Sequence, residues 1–307
     1  MLAIVVPVGW WLLASVVLVA LLRLSVHRAI LHSLRAPRVP HLRTPAELGL
    51  QAHALRLPVT HGKTLFAWFV PVPGARHAPA VLLMHGWGAN ASLMLPAVAP
   101  LHAAGYSVML LDARCHGHSD DEAFTSLPRF AQDIDAGLDW LRWQPEVDAQ
   151  RLVVLGHSVG AGAALLCASR RQDVKAVVCL GAFAHPQEVM RRWLAEVHLP
   201  YLVIGWYLLR HVQHVIGARF DEIAPLHSIT QVSCPVLLVH GREDEVVPVT
   251  DAQRLQAAGR PGQVTWLEIP GGHDPSEAAS AYVPQLIHFL QQALATADRQ
   301  LGAGAAS

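Results

Sequence analysis

Apolar and polar positions alternate in two different ways along this chain, and the change between them predicts its architecture. In residues 50–60 and 64–70, apolar and polar side chains alternate on either side of His61-Gly62. A period of two around a glycine-containing turn is typical of an antiparallel β-hairpin. We therefore predict that the folded domain begins with a hairpin.

After the hairpin, short continuous apolar runs are separated by longer segments with helical spacing. The apolar runs lie at 80–85, 107–112, 152–156, 176–180, 235–240 and 264–269, and the helical segments near 92–104, 128–143, 158–171, 250–259 and 276–295. Continuous apolar strands separated by helices indicate a parallel sheet that is covered on both faces. The pattern predicts an α/β domain with a mostly parallel, doubly wound sheet.

The N-terminal segment has a different pattern, because residues 1–22 contain no charged side chain. About 20 apolar residues are enough for a helix to cross a bilayer. A cleaved signal peptide is the alternative, but no Lys or Arg precedes the apolar stretch, which is also long for a signal-peptide core. We predict a transmembrane helix that anchors the protein, with the anchor at 1–22.

Arginines follow this segment at positions 23, 28, 35, 38 and 43. Basic residues beside a membrane span remain on the cytoplasmic side, so we expect a single-pass membrane protein with its catalytic domain in the cytoplasm. Residues 23–49 mix Arg, His and Pro and are predicted to be a juxtamembrane linker. The main domain is expected at 50–299 and a flexible tail at 300–307.

Charge and cysteine content narrow the possible functions. Basic and acidic residues number 23 each, so the formal net charge is zero and a nucleic-acid partner is not indicated. The four cysteines form no C-x-x-C pair, which favours buried free thiols. The 19 histidines are scattered, and only His211 and His214 resemble a ligand pair, without a third ligand at suitable spacing. We expect no metal and no cofactor.

The strongest chemical signal is Gly156-His157-Ser158-Val159-Gly160, which lies between a predicted strand and a predicted helix. In a G-x-S-x-G nucleophile elbow, the serine occupies a strained strand-to-helix turn, and small neighbours let the backbone bend closely. The helix N-terminus favours negative charge near the hydroxyl. A glycine-rich turn that contains a serine by chance is the alternative.

With this motif in its strand–helix context, residues 50–292 resemble the α/β-hydrolase family, in particular its serine-aminopeptidase, lysophospholipase-like and esterase branch. The resemblance implies an α/β-hydrolase fold with an inserted helical cap at about 183–228. It also implies a triad in the order serine, acid, histidine. The acid maps to Asp244, in the family's G-x-x-D pattern after the strand at 235–240, and the base to His273, after Gly271-Gly272.

The sequence leaves alternatives open for both the acid and the base. Glu243, Glu245 and Asp251 lie near Asp244 and are alternative acids. For His273, the alternative to a catalytic base is a histidine in a surface loop. Both predicted residues follow strands, at the edge where open α/β sheets place their sites.

The family resemblance also implies an oxyanion hole made of two backbone N–H groups. One is that of Val159, after the nucleophile, and the other that of Trp87, in the H-G-x-G-like loop at 85–88. Residues 112–119 match the family's D-x-R-G-H-G-x-S turn, with Cys115 replacing a glycine, and we expect a structural role for them.

The predicted cap is rich in aromatic and aliphatic residues, which either pack on the core or form an acyl pocket or a membrane-touching lid. We expect His157, Trp193 and Trp206 to contact the substrate. The implied function is hydrolysis of a small-molecule or lipid-like carboxylic ester through an acyl-enzyme. An aminopeptidase-like amidase, a thioesterase, an acyltransferase and a non-catalytic binding protein of the same fold are the alternatives.

Overall fold

The computed structural model describes residues 8–274 and 279–304. In this part of the chain, one sheet has the strand order β1-β2-β4-β3-β5-β6-β7-β8. Strand β2 pairs antiparallel with β1 and β4, and the other neighbouring strands are parallel. The strands are His53–Val59 (β1), Lys63–Val70 (β2), Ala78–Met84 (β3), Ser107–Leu111 (β4), Val147–His157 (β5), Val174–Leu180 (β6), Val236–Gly241 (β7) and Val264–Ile269 (β8).

Helices cover both faces of this sheet because its central strands are apolar on both sides. In β3, Leu82 and Met84 join one core layer, whereas Val81 and Leu83 join the other. The first layer includes side chains of α3 and α4, and the second includes those of α2 and α10. The predicted hairpin and the doubly wound, mostly parallel sheet are thereby confirmed.

The helices alternate with the strands as the apolar pattern predicts. They are Val8–Ser33 (α1), Val98–Ala103 (α2), Leu127–Leu141 (α3), Val159–Ala168 (α4), Pro186–Glu196 (α5), Trp206–Ile216 (α6), Phe220–Ile223 (α7), Pro225–Gln231 (α8), Val249–Ala258 (α9) and Ala279–Gly304 (α10). The expected flexible tail from residue 300 differs from this, since α10 continues to Gly304. Residues 305–307 lie outside the described residues.

Helix α1 is long and apolar enough to cross a membrane. Its 26 residues correspond to about 39 Å, and its most apolar window has a mean hydropathy of 1.9. Residues 1–7 of the expected anchor lie outside the described residues. The helix does not end at residue 22, because 23–33 contain neither Gly nor Pro and continue it to Ser33.

Residues 34–42, which were expected in a linker, pack against the loops of the domain. Arg38 donates hydrogen bonds to the carbonyls of His116, Gly117 and Ser119. The His41 ring lies 2.8 Å from a carboxylate oxygen of Asp112. Hydrogen bonds from Arg38 and His41 therefore hold this part of the expected linker against the domain.

The expected cap consists of helices α5, α6, α7 and α8, with a π-helical turn at Tyr201–Gly205. It follows β6 and precedes β7, so it is inserted above the carboxyl ends of these strands. Several of its large apolar side chains are exposed, including Leu202 and Trp206. A cap is thus present, and part of its apolar surface faces outward.

Candidate active site

Ser158 occupies a sharp turn between β5 and α4. Its backbone has φ 54° and ψ −115°, a conformation that residues other than glycine rarely adopt. A Cβ atom on Gly156 would lie 2.2 Å from the carbonyl oxygen of Gly160. A Cβ atom on Gly160 would lie 2.5 Å from the carbonyls of Met84 and His85. Neither glycine can therefore carry a side chain without displacing the backbone that holds the serine.

The other two predicted triad members lie in contact with each other. Nδ1 of His273 is 2.7 Å from Oδ2 of Asp244. The second carboxylate oxygen of Asp244 accepts hydrogen bonds from the N–H groups of Val246 and Val247, at 2.9 and 2.7 Å. The carboxylate is fully buried and the imidazole is 18% exposed. This arrangement fixes the orientation of the histidine ring.

Asp244 is held as a carboxylate by its hydrogen-bond donors. Burial by itself would raise its pKa, but hydrogen bonds from His240, His273 and the Val247 N–H lower the pKa well below that of an ordinary aspartate. His240 also lies 2.8 Å from the carbonyl of Val247 and 3.4 Å from Asp244. His240 was not among the predicted residues, and its place at the end of β7, four residues before Asp244, is the signal that identifies it.

The alternative acids have other partners. Glu243 accepts a hydrogen bond from the Gly271 N–H at 2.6 Å. Asp251 is buried and accepts from the Ala184 N–H and from Arg254. Glu245 is exposed. Of the four candidates, Asp244 is the one whose carboxylate contacts His273.

Two glycine positions show how closely the loops converge on the serine and the histidine. Gly181 follows β6 with φ 59°, and a Cβ atom there would lie 3.2 Å from two atoms of the His273 ring. A Cβ atom on Gly86, after β3, would lie 3.2 Å from the Cβ of Ser158. The carboxyl ends of β3, β5, β6, β7 and β8 thus meet at one site.

His157, a predicted substrate contact, lies within this convergence. Its Nε2 donates a hydrogen bond to the carbonyl of His273 at 2.8 Å. Burial, with the neighbouring His273 ring, lowers the pKa of His157 to about 4. The ring is therefore neutral at pH 7, and it fixes the backbone from which the His273 side chain extends.

The predicted oxyanion donors lie on two neighbouring backbone segments. Val159 is the first residue of α4, so its N–H is one of those that a helix leaves without an internal acceptor. The Trp87 N–H lies in a tight turn, in which the Gly86 carbonyl accepts from the Ala89 N–H at 3.3 Å. Gly88, with φ 70°, donates to the His116 ring at 3.1 Å.

A cavity of about 610 Å³ opens next to these residues, and Ser158 and His273 lie in its wall. Most of the remaining lining is apolar and comes from the cap and the loop after β3. The lining includes Trp87, Leu93, Met94, His157, Val159, Phe183, Val189, Met190, Trp193, Val212, Ile216, Phe220 and Ile223. Trp193, a predicted substrate contact, thus lines the same cavity as the serine.

Trp206 does not line this cavity, in contrast to the prediction. It lines a separate hollow of about 870 Å³, together with Arg210 and Gln213. These three residues lie at spacings of four and three, on one face of α6. Val212 and Ile216 occupy another face and line the serine cavity instead.

Ser33 and Leu34 also line the serine cavity, although the sequence interpretation placed them in a linker. Leu34 packs against the main core cluster with Val26 and Ile30. The spacing of four residues between these side chains, beyond the uncharged segment, is the signal that predicts this packing.

In the turn at 112–119, Cys115 stands where the related turn has a glycine. This residue adopts φ 66°, the left-handed conformation that favours glycine. Its Sγ accepts a hydrogen bond from the Glu122 N–H at 3.3 Å. Arg114 pairs with Asp133 of α3 through Nε and Nη2, at 2.9 and 2.6 Å, so a buried ion pair joins the turn to this helix.

The cysteines and histidines outside the site were expected to be structural. All four cysteines are free and buried, as predicted. Among residues 8–274 and 279–304, no three His, Cys, Asp or Glu side chains form a group that could hold a metal ion. His211 lies 3.0 Å from His27 of α1.

Comparison with known proteins identifies the family that this chain resembles. The family described as serine aminopeptidase, S33, matches residues 75–216. An uncharacterized protein of Mycobacterium tuberculosis is 31% identical over 217 residues, which cover 70% of each chain. The α/β-hydrolase domain-containing protein WAV2 of Arabidopsis thaliana is 28% identical over 240 residues, covering 75% of this chain and 74% of WAV2.

Solved structures share the fold at lower identity. An esterase from Pyrococcus furiosus has a TM-score of 0.68 at 22% identity, covering 84% of this chain and 98% of the esterase. Est1E from Butyrivibrio proteoclasticus, solved with ferulic acid bound, has a TM-score of 0.63 at 19% identity, covering 79% and 100%. At these identities the likeness establishes the fold alone.

Proposed function

Because this chain belongs to the α/β-hydrolase family, we propose that it is a serine hydrolase that cleaves carboxylic esters through an acyl-enzyme. The observation that carries the proposal is the 2.7 Å contact between His273 and the buried Asp244, in a cavity that also holds Ser158. A nucleophile and a base that line one cavity, with a buried acid that orients the base, are the elements of a serine-hydrolase triad.

In the proposed mechanism, His273 takes the proton of the Ser158 hydroxyl, and the serine oxygen attacks the ester carbonyl carbon. Asp244 stabilises the imidazolium that forms. The N–H groups of Val159 and Trp87 stabilise the oxyanion of the tetrahedral intermediate. His273 then protonates the leaving alcohol, and water, activated by the same ring, releases the acid. This reaction needs neither a metal nor a cofactor.

The apolar lining of the cavity supports a substrate with an apolar acyl group, such as a lipid-like ester. Apolar contacts with Trp193, Met190, Val212 and Ile216 would contribute binding energy for each methylene that is buried. Amides and thioesters undergo the same acyl transfer, so their relative rates are a test of this assignment.

Helix α1 supports the further proposal that the enzyme is anchored in a membrane, with its catalytic domain in the cytoplasm. The helix is long and apolar enough to span a bilayer, and Arg23 and Arg28 follow the uncharged segment. Protease treatment of intact spheroplasts should leave the domain undigested. Digestion from outside, or recovery of a chain cleaved after the apolar segment, would contradict this placement.

The central experiment labels the full-length protein with a fluorophosphonate probe and measures the hydrolysis of p-nitrophenyl esters, thioesters and aminoacyl amides. Ser158→Ala should abolish labelling and lower ester turnover by at least about 10⁴-fold. Ser233→Ala, which changes an exposed serine, is the matched control and should behave like the wild type. Faster cleavage of amides than of esters would overturn the ester assignment, and absent labelling would favour a binding protein.

A further inference from the structure

The helix that we propose as the membrane anchor has two parts with different surroundings. The large apolar side chains between residues 8 and 24 are exposed. Beyond them, Val26, Ile30 and Leu34 follow one another at intervals of four and pack against the main core cluster, with Ile30 only 5% exposed. The second part of α1 therefore belongs to the folded domain.

Hydrogen bonds hold the end of this helix beside the serine cavity. The Leu34 carbonyl accepts from the Thr125 N–H at 3.0 Å. The Arg35 guanidinium donates to the Ala123 carbonyl at 3.2 Å. The next two residues after Thr125, at 126 and 127, also line the cavity. Leu34 is thus fixed to a loop that is itself part of the cavity wall.

The same helix contacts the cap. Nδ1 of His27 lies 3.0 Å from Nε2 of His211 on α6. Val212, the residue after His211, and Ile216, one turn later, line the serine cavity. Leu34, Val212 and Ile216 thus all line the cavity, on two segments that the contact between α1 and α6 brings together. We call these three residues the anchor-side wall.

We propose that Leu34 is a specificity-determining residue that, with the rest of the anchor-side wall, limits the length of the acyl chain that the cavity accepts. This inference rests on the proposed function, since it concerns the acyl group of the same ester substrate. Leu34 is held by main-chain hydrogen bonds and by core packing, so its side chain forms a wall that an acyl chain cannot easily displace. The membrane helix would then determine substrate choice as well as location.

The test compares Leu34→Trp and Leu34→Ala with the wild type in the full-length protein, using p-nitrophenyl esters from acetyl to dodecanoyl. Leu34→Trp should lower the ratio of kcat/KM for dodecanoyl to acetyl esters, by roughly fourfold for each methylene that it excludes. Leu34→Ala should shift the preferred acyl length upward. Leu42→Ala and Leu42→Trp are matched controls, because the Leu42 side chain is 76% exposed on the same segment, and they should leave the profile unchanged.

A second measurement separates this inference from the proposed function. The affinities of dodecanoate and hexanoate for Ser158→Ala protein, with and without Leu34→Trp, are measured by calorimetry and need no turnover. Weaker binding of dodecanoate relative to hexanoate in the double variant supports the wall, even if esters are not the substrate. If Leu34→Trp changes neither the acyl profile nor the two affinities, the inference is wrong. Ser158-dependent ester cleavage would in that case still support the proposed function.

Discussion

The carboxyl end of the sheet and the cap helices above it are packed in different ways. The sheet end carries Ser158, His273 and Asp244. At the sheet end, backbone atoms approach one another so closely that Gly156 and Gly160 leave no room for side chains, and a Cβ atom on Gly86 would lie 3.1–3.2 Å from His157 and Ser158. In the cap, several large apolar side chains are exposed, among them Trp193, which is half exposed, and Leu202.

This difference indicates which changes each region tolerates. Backbone positions at the sheet end are determined by several strands at once, so a small displacement there moves the reacting groups relative to one another. Side chains of the cap and of α1 line the cavity and take no part in the hydrogen bond between Asp244 and His273, so substitutions there should change substrate preference more than the rate of the proposed chemical step.

Among the changes that test this comparison, Asp244→Asn should have the largest effect. The neutral amide cannot stabilise the imidazolium and favours the wrong His273 tautomer, so kcat should fall by about 10⁴-fold with the fold intact. Glu243→Gln is the control on the neighbouring carboxylate and should retain activity. Steady-state kinetics with circular dichroism would check both, and the reverse result would show that Glu243 is the orienting acid.

Gly86→Ala should have the next largest effect. The added methyl group would lie 3.2 Å from the Cβ of Ser158 and 3.1 Å from Nδ1 of His157, so serine and oxyanion loop must separate. A displacement of this kind typically lowers kcat by about a hundredfold. In Gly272→Ala the nearest atom to the new methyl group is 3.9 Å away, so that variant should keep most of its activity. Equal losses in the two variants would contradict the idea that close approach at residue 86 matters.

A substitution in the cap should act on binding. Trp193→Ala removes an apolar contact from the cavity and should raise KM for long acyl esters by about tenfold, with a much smaller change in kcat. Trp143→Ala, at a tryptophan that is 86% exposed, is the control. A kcat loss as large as that of Gly86→Ala would mean that the cap also positions the triad.

The smallest effect concerns acid stability at the sheet end. The folded protein holds His157 neutral, with its pKa lowered to about 4, whereas an unfolded histidine has a pKa of 6.5. This preference contributes fully to stability above pH 6.5 and is lost as the pH falls toward 4, by up to about 2 kcal/mol at pH 5. His157→Gln, which keeps a donor for the His273 carbonyl, should therefore lose less Tm than the wild type between pH 7.5 and pH 5. An identical loss in both proteins would show that His157 titrates normally.

Local sequence was sufficient to predict the sheet and the order of the chemical groups along it. Continuous apolar runs at 80–85 and 152–156 predict buried parallel strands, because a strand that is covered on both faces has no polar side. The glycines around Ser158 predict a sharp turn, because the required backbone conformation leaves no space for side chains at positions 156 and 160.

The tertiary structure alone decided which residues meet across large separations in the chain. Asp244 and Glu243 are adjacent carboxylates with different partners. Asp244 contacts the His273 ring, whereas Glu243 accepts from the Gly271 N–H. The position of the His273 loop determines this difference. The assignment of Trp193 but not Trp206 to the cavity depends on how α5 and α6 are rotated, which their apolar composition leaves open.

The N-terminal helix has both kinds of property: one that its own sequence determines and one that depends on the folded domain. An uncharged run of 22 residues determines that the helix can span a membrane, since length and hydropathy are properties of the segment itself. That Leu34 reaches the serine cavity depends on its main-chain hydrogen bond with Thr125 and on the position of the cap, which are distant in sequence. The spacing of Val26, Ile30 and Leu34 predicts that this side of the helix packs against the domain. The cavity that Leu34 lines is determined by the shape of the assembled domain.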